Sequence, residues 1–172
     1  EKLLGYIARV SNPQNQDYEN VEGLLRYMVK HQHWSPFEMA SAVFEIETTR
    51  DIARQILRHR SFSFQEFSQR YADVFLLPAA QLRECRLQDT RNRQNSLTTD
   101  DQDKHDQWAQ LQAIVSDVAL AAYQQALKVG VAKEQARAVL PEGLTPSRLY
   151  MSGTLRSWMH YCHLRTQPET QK

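Results

Sequence analysis

One short segment of the chain carries cationic, aromatic and polar side chains that could bind a phosphorylated, planar ligand. Residues 58–71 read RHRSFSFQEFSQRY. In an extended conformation successive side chains point to opposite sides, and neither side of this segment is cleanly apolar, so burial does not explain the pattern. Arginine forks bind phosphate bidentately, while serine hydroxyls and backbone N–H groups complete its oxygen shell. The residue types therefore predict a nucleotide or flavin site, with aromatic rings beside a planar ring.

The hydrophobic pattern predicts a strand and a helix directly before this segment. Residues 41–49 (SAVFEIETT) alternate between two faces and are rich in β-branched residues, which predicts a half-buried strand. Residues 50–59 (RDIARQILRH) change to a helical period. On this helix Arg54 and Arg58 are predicted to share one face. Strand and helix thus lead into the arginine-rich segment.

Helices dominate the rest of the chain. Periodicity predicts helices over 18–31, from about 104 to Lys128 with Gly130 at its end, over 132–140, and from about Thr154 to Arg165 after a short extended piece. Ser35-Pro36 predicts a turn. The polar stretch at about 83–103 has little periodicity, which predicts a loop or insertion. We expect an α+β fold: a helix-rich single domain over residues 1–172 with a small central sheet.

Composition is typical of a soluble globular protein. The 172 residues are 41% hydrophobic and 24% charged, with a formal net charge of +1. No apolar run approaches the roughly 18 residues of a membrane helix, and no signal-peptide pattern is present, which favours a cytoplasmic protein without a membrane partner. Near-neutral charge leaves anion recognition to local arginine clusters. The chain starts without methionine and ends in the polar run TQPETQK, a pattern typical of ends that have been trimmed.

Several other side chains favour structural roles. Two cysteines far apart predict no disulfide, and we expect both to be reduced, with Cys162 buried. Ser68 lacks a histidine and a carboxylate spaced to activate it as a nucleophile. The histidine pairs at 31/33 and 160/163 lack further metal ligands, so no metal site is predicted. An apolar stripe on the long helix predicts core or a subunit interface: Trp108, Leu111, Val115, Val118, Ala122 and Ala126.

A nucleic-acid-binding module is the alternative from another class of function. A backbone groove with stacking platforms could be formed by Arg50, Arg54, Arg58, Arg60 and Arg70 with Phe62, Phe64 and Tyr71. Near-neutral net charge and the carboxylate of Glu66 inside the patch count against it, so no nucleic-acid partner is predicted. A flavin protein with a different oxidation reaction is a second alternative.

Four segments, in order along the chain, resemble the flavin-dependent thymidylate synthase family. Arg58-His59-Arg60, seven further residues and then Ser68 match the family's signature. The other three segments are HWSPFEM (33–39), QARAVLP (135–141) and GTLRSWMHYCHLR (153–165). They occur in the same order and are spread over most of the chain, which makes the resemblance specific.

The resemblance implies an enzyme that converts dUMP to dTMP. It implies a homotetramer in which FAD and dUMP bind at subunit junctions. NADPH reduces the flavin, methylenetetrahydrofolate donates the one-carbon unit, and the reduced flavin delivers the hydride that completes the methyl group. No cysteine nucleophile is needed, which agrees with the setting of the two cysteines.

The resemblance also implies the site residues. Flavin contacts are implied at Ser35, Arg58, His59, Arg60, Glu66, Thr154, Leu155, Arg156 and His160. Nucleotide contacts are implied at Gln55, Arg58, Glu66, Phe67, Ser68, Gln69, Arg70, Arg137 and Arg165, with Arg137 reached from a neighbouring subunit. Arg165 is the implied catalytic residue, since a cation against the uracil favours ionisation of N3 and activates the ring carbon.

Overall fold

The computed structural model describes residues 1–167 and residue 170, and the described chain is α+β, as predicted. Its helices are α1 (Lys2–Ala8), α2 (Glu22–Lys30), α3 (Arg50–Ile56), α4 (Gln102–Lys128), α5 (Lys133–Ala136) and α6 (Leu155–Arg165). Its strands are β1 (Ser41–Thr49), β2 (Ser63–Glu66), β3 (Arg86–Gln88), β4 (Ser96–Thr98) and β5 (Pro146–Thr154). Short 3-10 helices cover Pro13–Asn15, Ser35–Met39, Val74–Leu76 and Arg137–Val139.

The strands form two small sheets. The first has the order β1-β5-β2, so the predicted strand over 41–49 is an edge strand. The second is the antiparallel pair β3 and β4, in which Leu87 lies opposite Leu97. Nine-residue strands β1 and β5 lead directly into α3 and α6, because Thr49 and Thr154 are the N-cap residues of those helices.

The chain divides into two compact units. Unit 1 contains Glu1–Phe44, Arg60–Ser63 and Met151–Thr166. Unit 2 contains Glu45–His59 and Phe64–Tyr150. Each unit is therefore assembled from segments that are distant in sequence.

The apolar core of unit 1 is formed by residues of α1, α2, α6 and the 3-10 helix Ser35–Met39. Leu4 of α1, Met28 of α2 and Phe37 are buried together, and Leu155 and Met159 of α6 pack against them. The helix α1 was not predicted, since seven residues are too few to show a clear period. Burying each such side chain contributes roughly 1.5–3 kcal/mol, so the core anchors the start of α6.

Unit 2 is centred on the long helix α4. Tyr123 of α4 is buried with Val74 and Ala136. The buried face also includes Gln112, whose side chain bonds both backbone polar groups of Arg83: Arg83 N donates to Oε1 at 2.7 Å and Nε2 donates to Arg83 O at 3.0 Å. The core prediction is confirmed for Ala126, which packs against the buried residues around Tyr123, but it is wrong for four larger residues of the apolar stripe. These four lie beside this buried face, exposed within the chain: Trp108, Leu111, Val115 and Val118. The subunit-interface alternative stays a prediction.

Two further predictions need correction. The segment at 83–103 is not a plain loop, because it contains the β3–β4 hairpin. The turn is held by Asp89, which accepts hydrogen bonds from the backbone N–H groups of Arg91 and Asn92, and such polar turns leave no hydrophobic period. Cys162 is exposed rather than buried, because it lies on the outer side of α6. Both cysteines are free, as predicted.

Candidate active site

The predicted site residues fall into two groups, one in each unit. Unit 1 holds Ser35, Arg60, Thr154, Leu155, Arg156, His160 and Arg165. Unit 2 holds Gln55, Arg58, His59, Glu66, Phe67, Ser68, Gln69, Arg70 and Arg137.

The N-terminus of α6 and the 3-10 helix Ser35–Met39 bring polar side chains together in unit 1. Thr154 caps α6, and its Oγ1 accepts a hydrogen bond from Ser157 N at 3.2 Å. Arg156 Nη1 donates to Glu38 Oε1 at 2.8 Å. The hydrogen bonds from Arg156 and Thr154 hold the pKa of Glu38 below its usual range. A carboxylate therefore lies among three residues with implied flavin roles: Ser35, Thr154 and Arg156.

Glu38 is a residue that the sequence interpretation missed. It belongs to the quoted segment HWSPFEM, but no role was assigned to it. The available signal for a role of Glu38 was its charge directly after Phe37, which lies in the core of unit 1. Its ion pair with Arg156 joins the 3-10 helix to α6.

Two other implied flavin residues make mainly apolar contacts. Leu155 packs against the core of unit 1, and its N–H donates to Ala40 O at 2.8 Å. The ring of His160 contacts the edge of Trp34 at 4.8 Å between centroids. Leu155 therefore mainly holds the start of α6 against the core of unit 1.

Arg165, the implied catalytic residue, lies in the last turn of α6. Tyr161, one turn earlier, hydrogen-bonds with it; burial raises the pKa of the Tyr161 hydroxyl, and the charge of Arg165 opposes that rise. The Tyr161 ring packs against Phe62 and Trp158, with centroids 5.7 and 5.8 Å away. Since both rings are packed, the aromatic cluster orients the side chain that bonds Arg165.

The signature arginines Arg58 and Arg60 are exposed and lack a carboxylate partner among the described residues. Arg54, by contrast, forms an ion pair with Glu142 at 2.6 Å. The helix α3 ends at Ile56, earlier than predicted, so Arg58 lies in the following turn and does not share a helix face with Arg54. Exposed cations without a protein carboxylate suit an anionic ligand.

The end of β2 and the loop that follows it (residues 67–71) are hydrogen-bonded to β5. Ser147 Oγ donates to Glu66 Oε1 at 2.7 Å, and Phe67 N donates to Arg148 O at 2.8 Å. Gln69 is 2% exposed, and its side chain reaches Pro146 O at 3.5 Å. A ligand contact from Gln69 would therefore come from its backbone. Glu66, Phe67 and Ser68 are half-buried.

The two arginines implied for the phosphate meet at one residue. Arg70 Nε lies 3.2 Å from Glu134 Oε2, and Arg137 Nε donates to the backbone oxygen of Glu134 at 3.2 Å. Both side chains belong to unit 2 of one chain. The approach of Arg137 from a neighbouring subunit stays a prediction.

A cavity in unit 2 lies beside the start of β5, the strand that is hydrogen-bonded to the loop after β2. Its volume is about 640 Å³, and it is lined by the ends of β1 and β5 and by the segment from Leu77 to Glu84. Its arginines are engaged with protein groups: Arg83 with Asp51 at 2.7 Å, and Arg148 with Glu47 at 2.5 Å. None of the predicted site residues lines it.

Across residues 1–167 and 170, no helix is long and apolar enough to cross a membrane. Within the same residues, no group of three or more histidine, cysteine or acidic side chains is arranged to hold a metal ion.

This chain is similar in sequence to known proteins along its whole length. It is 50% identical to a probable flavin-dependent thymidylate synthase of Paramecium bursaria Chlorella virus 1, over all of this chain and 79% of the relative. It is 48% identical to a flavin-dependent thymidylate synthase of Synechocystis, over all of this chain and 78% of the relative.

The fold is similar to that of a solved enzyme. A UMP/dUMP methylase from Streptomyces cacaoi, in a crystal structure with 5-Br dUMP, aligns with a TM-score of 0.79 and 30% identity over 96% of this chain and 73% of that protein. The family described as thymidylate synthase complementing protein matches residues 1–172. With these full-length similarities, the chain belongs to the thymidylate synthase complementing protein family, as its motifs predicted.

Proposed function

We propose that this chain is a flavin-dependent thymidylate synthase that converts dUMP to dTMP. Methylenetetrahydrofolate would donate the one-carbon unit and NADPH would restore the reduced FAD. The observation that carries the proposal is the 50% identity, over the whole chain, to a relative named a probable flavin-dependent thymidylate synthase. The arginine signature and Ser68 lie on the matched stretch.

The side chains present fit a flavin dinucleotide. Arg58 and Arg60 are exposed, and no described carboxylate neutralises them, which suits the diphosphate of FAD. In unit 1, Arg156 adds a cation that it shares with Glu38, with Ser35 and His160 as further implied contacts. Bound FAD would supply the hydride. We propose that these residues hold and orient it.

The nucleotide contacts follow from the loop after β2 and from the two arginines at Glu134. Ser68 offers a hydroxyl, and Arg70 and Arg137 offer two cations, to the dUMP phosphate. Gln55 of α3 and the backbone of the loop contact the rest of the nucleotide. Arg165 stabilises negative charge on the uracil, which activates the ring carbon for methylation.

The assembly is a homotetramer in this proposal. The exposed apolar face of α4, formed by Trp108, Leu111, Val115 and Val118, supports it, because a 27-residue helix that exposes such a stripe within one chain is suited to an interface. We place the enzyme in the cytoplasm, where dTMP synthesis would meet its substrates.

Flavin absorption tests the proposal directly. The purified protein is incubated with FAD, desalted, and its visible spectrum is recorded before and after dUMP is added. We expect retained flavin bands that shift with dUMP, and dTMP formation when NADPH and methylenetetrahydrofolate are supplied. Flavin that washes off, together with salt-sensitive binding of single-stranded DNA, would instead support the nucleic-acid alternative.

UMP is a second candidate substrate. The similar enzyme from Streptomyces cacaoi is named a UMP/dUMP methylase, and it has also been solved with 5-Br UMP. The same spectrum and turnover assay with UMP in place of dUMP separates the two substrates. We expect dUMP to be preferred, since the relatives at 48–50% identity are thymidylate synthases.

A further inference from the structure

Three consecutive residues of β5 contact Glu66, the last residue of β2, and the loop that follows it (residues 67–71). Ser147 Oγ donates to Glu66 Oε1 at 2.7 Å, Arg148 O accepts from Phe67 N at 2.8 Å, and Pro146 O lies 3.5 Å from the Gln69 amide. Together with Glu66, the loop carries several of the side chains implied for flavin and nucleotide. Its conformation therefore depends on β5, a strand that carries none of the implied contacts before Thr154.

Ser147 makes the one bond of the three that reaches a charged side chain with implied contacts to both flavin and nucleotide. It is 3% exposed, and its hydroxyl proton is donated to Glu66. Its hydroxyl fixes one carboxylate oxygen of Glu66 and so selects one rotamer of that side chain. Without this donor, the half-buried carboxylate would lose a charge-assisted hydrogen bond and rotate among several conformers.

We propose that Ser147 is a positioning residue, which orients the Glu66 carboxylate and so prepares the site for the nucleotide. This inference rests on the proposed function, because it assigns Glu66 to the dUMP and flavin site. Glu66 contacts ligands, and Ser147 acts through it. The loop is thereby coupled to the sheet, and Arg148 in turn joins β5 to Glu45 and Glu47 of β1.

Ser147→Ala tests the inference, with Thr145→Val as the matched control. Thr145 is equally buried, at 2% exposed, and its hydroxyl donates to Pro141 O at 2.6 Å rather than to the loop. Each variant removes one buried hydroxyl: Ser147 is the second residue of β5, and Thr145 directly precedes that strand. The readouts are the dUMP dissociation constant of the flavin-loaded protein, kcat and KM for dUMP, and the midpoint of urea unfolding.

We expect Ser147→Ala to weaken dUMP binding about ten- to a hundredfold, the range for a lost hydrogen bond to a charged group. Thr145→Val should lose comparable stability but keep dUMP affinity within about threefold, because its hydroxyl does not touch Glu66. Ser147→Thr, which keeps the hydroxyl, should restore most of the affinity.

A double-mutant cycle separates positioning from general loss of structure. In a Glu66→Ala background, Ser147→Ala should change dUMP affinity less than about twofold, because the bond it removes is already absent. The inference would be overturned if Ser147→Ala weakened dUMP binding equally in the wild-type and Glu66→Ala backgrounds. It would also be overturned if Ser147→Ala and Thr145→Val weakened dUMP binding equally. If wild-type protein binds no dUMP at all, the proposed function fails together with it; if wild type binds and Ser147→Ala binds equally well, only the positioning role fails.

Discussion

At the scale of single residues, the arginines differ by whether a carboxylate neutralises them. Arg54 and Arg70 are paired with Glu142 and Glu134, whereas Arg58 and Arg60 have no carboxylate partner within the described residues. A surface ion pair contributes little stability, roughly 0–1 kcal/mol, but it occupies the cation. The pairing pattern therefore distinguishes Arg58 and Arg60, whose whole guanidinium groups can bind an anion, from Arg70 and Arg156, which share theirs with Glu134 and Glu38.

Arg58→Ala should lose FAD, and Arg54→Ala should not. We expect about ten- to a hundredfold weaker FAD binding for Arg58→Ala, because a charge-assisted contact is removed, and less than about threefold for Arg54→Ala. The measurement is flavin absorbance retained after desalting at a series of FAD concentrations. Equal losses would fit a continuous basic groove for nucleic acid instead.

Arg165→Ala should separate binding from chemistry. We expect flavin retention to stay near that of wild type while kcat for dTMP formation falls about a hundredfold or more, the scale of one lost transition-state donor. Arg165→Lys should recover part of the rate, because it keeps the charge but not the planar fork. Equal loss of flavin binding and of turnover would remove Arg165 from the catalytic role.

At the scale of elements, close packing at β5 and α6 places the aromatic cluster beside Arg165. A Cβ on Gly153 would lie only 2.4 Å from Phe62 Cδ1, and Phe62 in turn contacts Trp158 at 4.8 Å between ring centroids. The ring cannot move away freely, because Tyr161 contacts it as well. A glycine at this point of β5 is therefore required by packing.

Gly153→Ala should destabilise the protein by about 1–3 kcal/mol through overpacking. Gly23→Ala is the control in the same unit: its Cβ would meet only Asn20, at 3.6 Å, and alanine inside α2 should stabilise by about 0.5–1 kcal/mol. Urea unfolding measures both. Adding Phe62→Leu to Gly153→Ala should recover part of the lost stability; if Gly153→Ala is neutral, the packing argument is wrong.

The ion pair between Glu38 and Arg156 should make stability depend on pH. The hydrogen bond from Arg156 lowers the pKa of Glu38 from its ordinary value of 4.5, so the stabilisation is present above that value and is lost as the pH falls through the lower, folded value. The difference in unfolding free energy between wild type and Glu38→Gln should therefore be constant above pH 4.5 and shrink below it. A difference that is independent of pH would show that the carboxylate's charge contributes nothing.

At the scale of the whole molecule, the exposed face of α4 is the feature that a single chain leaves unexplained. Val118 is 67% exposed, and its neighbours on this face include Trp108 and Leu111. Such a patch is costly in water unless another surface covers it. In the proposed homotetramer, further copies of the chain would cover it.

Val115→Glu should break the proposed tetramer. A carboxylate in an apolar interface would be buried without a partner, so we expect a smaller mass in solution and weaker flavin retention, since the proposed sites are shared between subunits. Gln124→Glu, at an exposed position of the same helix, is the control and should leave the mass unchanged. An unchanged mass for Val115→Glu, or a monomeric wild type, would contradict the proposed role of this face.

The sequence by itself determined the α+β class, the strand β1, the helix α6 and the residue chemistry of the four motifs. These are local properties, since periodicity and side-chain types are read over a few residues. The family followed from the same motifs, and the full-length match confirms it. The hairpin within 83–103 escaped prediction because its turn is stabilised by polar bonds rather than by an apolar pattern.

Only the tertiary structure decided which side chains meet. Ser147 and Glu66 are 81 residues apart, and Glu38 and Arg156 are 118 apart, so no local pattern relates them. The buried face of α4 was also decided by tertiary contacts: Gln112 is buried because it bonds the backbone of Arg83, while the more apolar stripe beside it stays exposed. Hydrophobicity ranks the faces of a helix by their tendency to be buried, but the contacts that the fold supplies decide which face is buried.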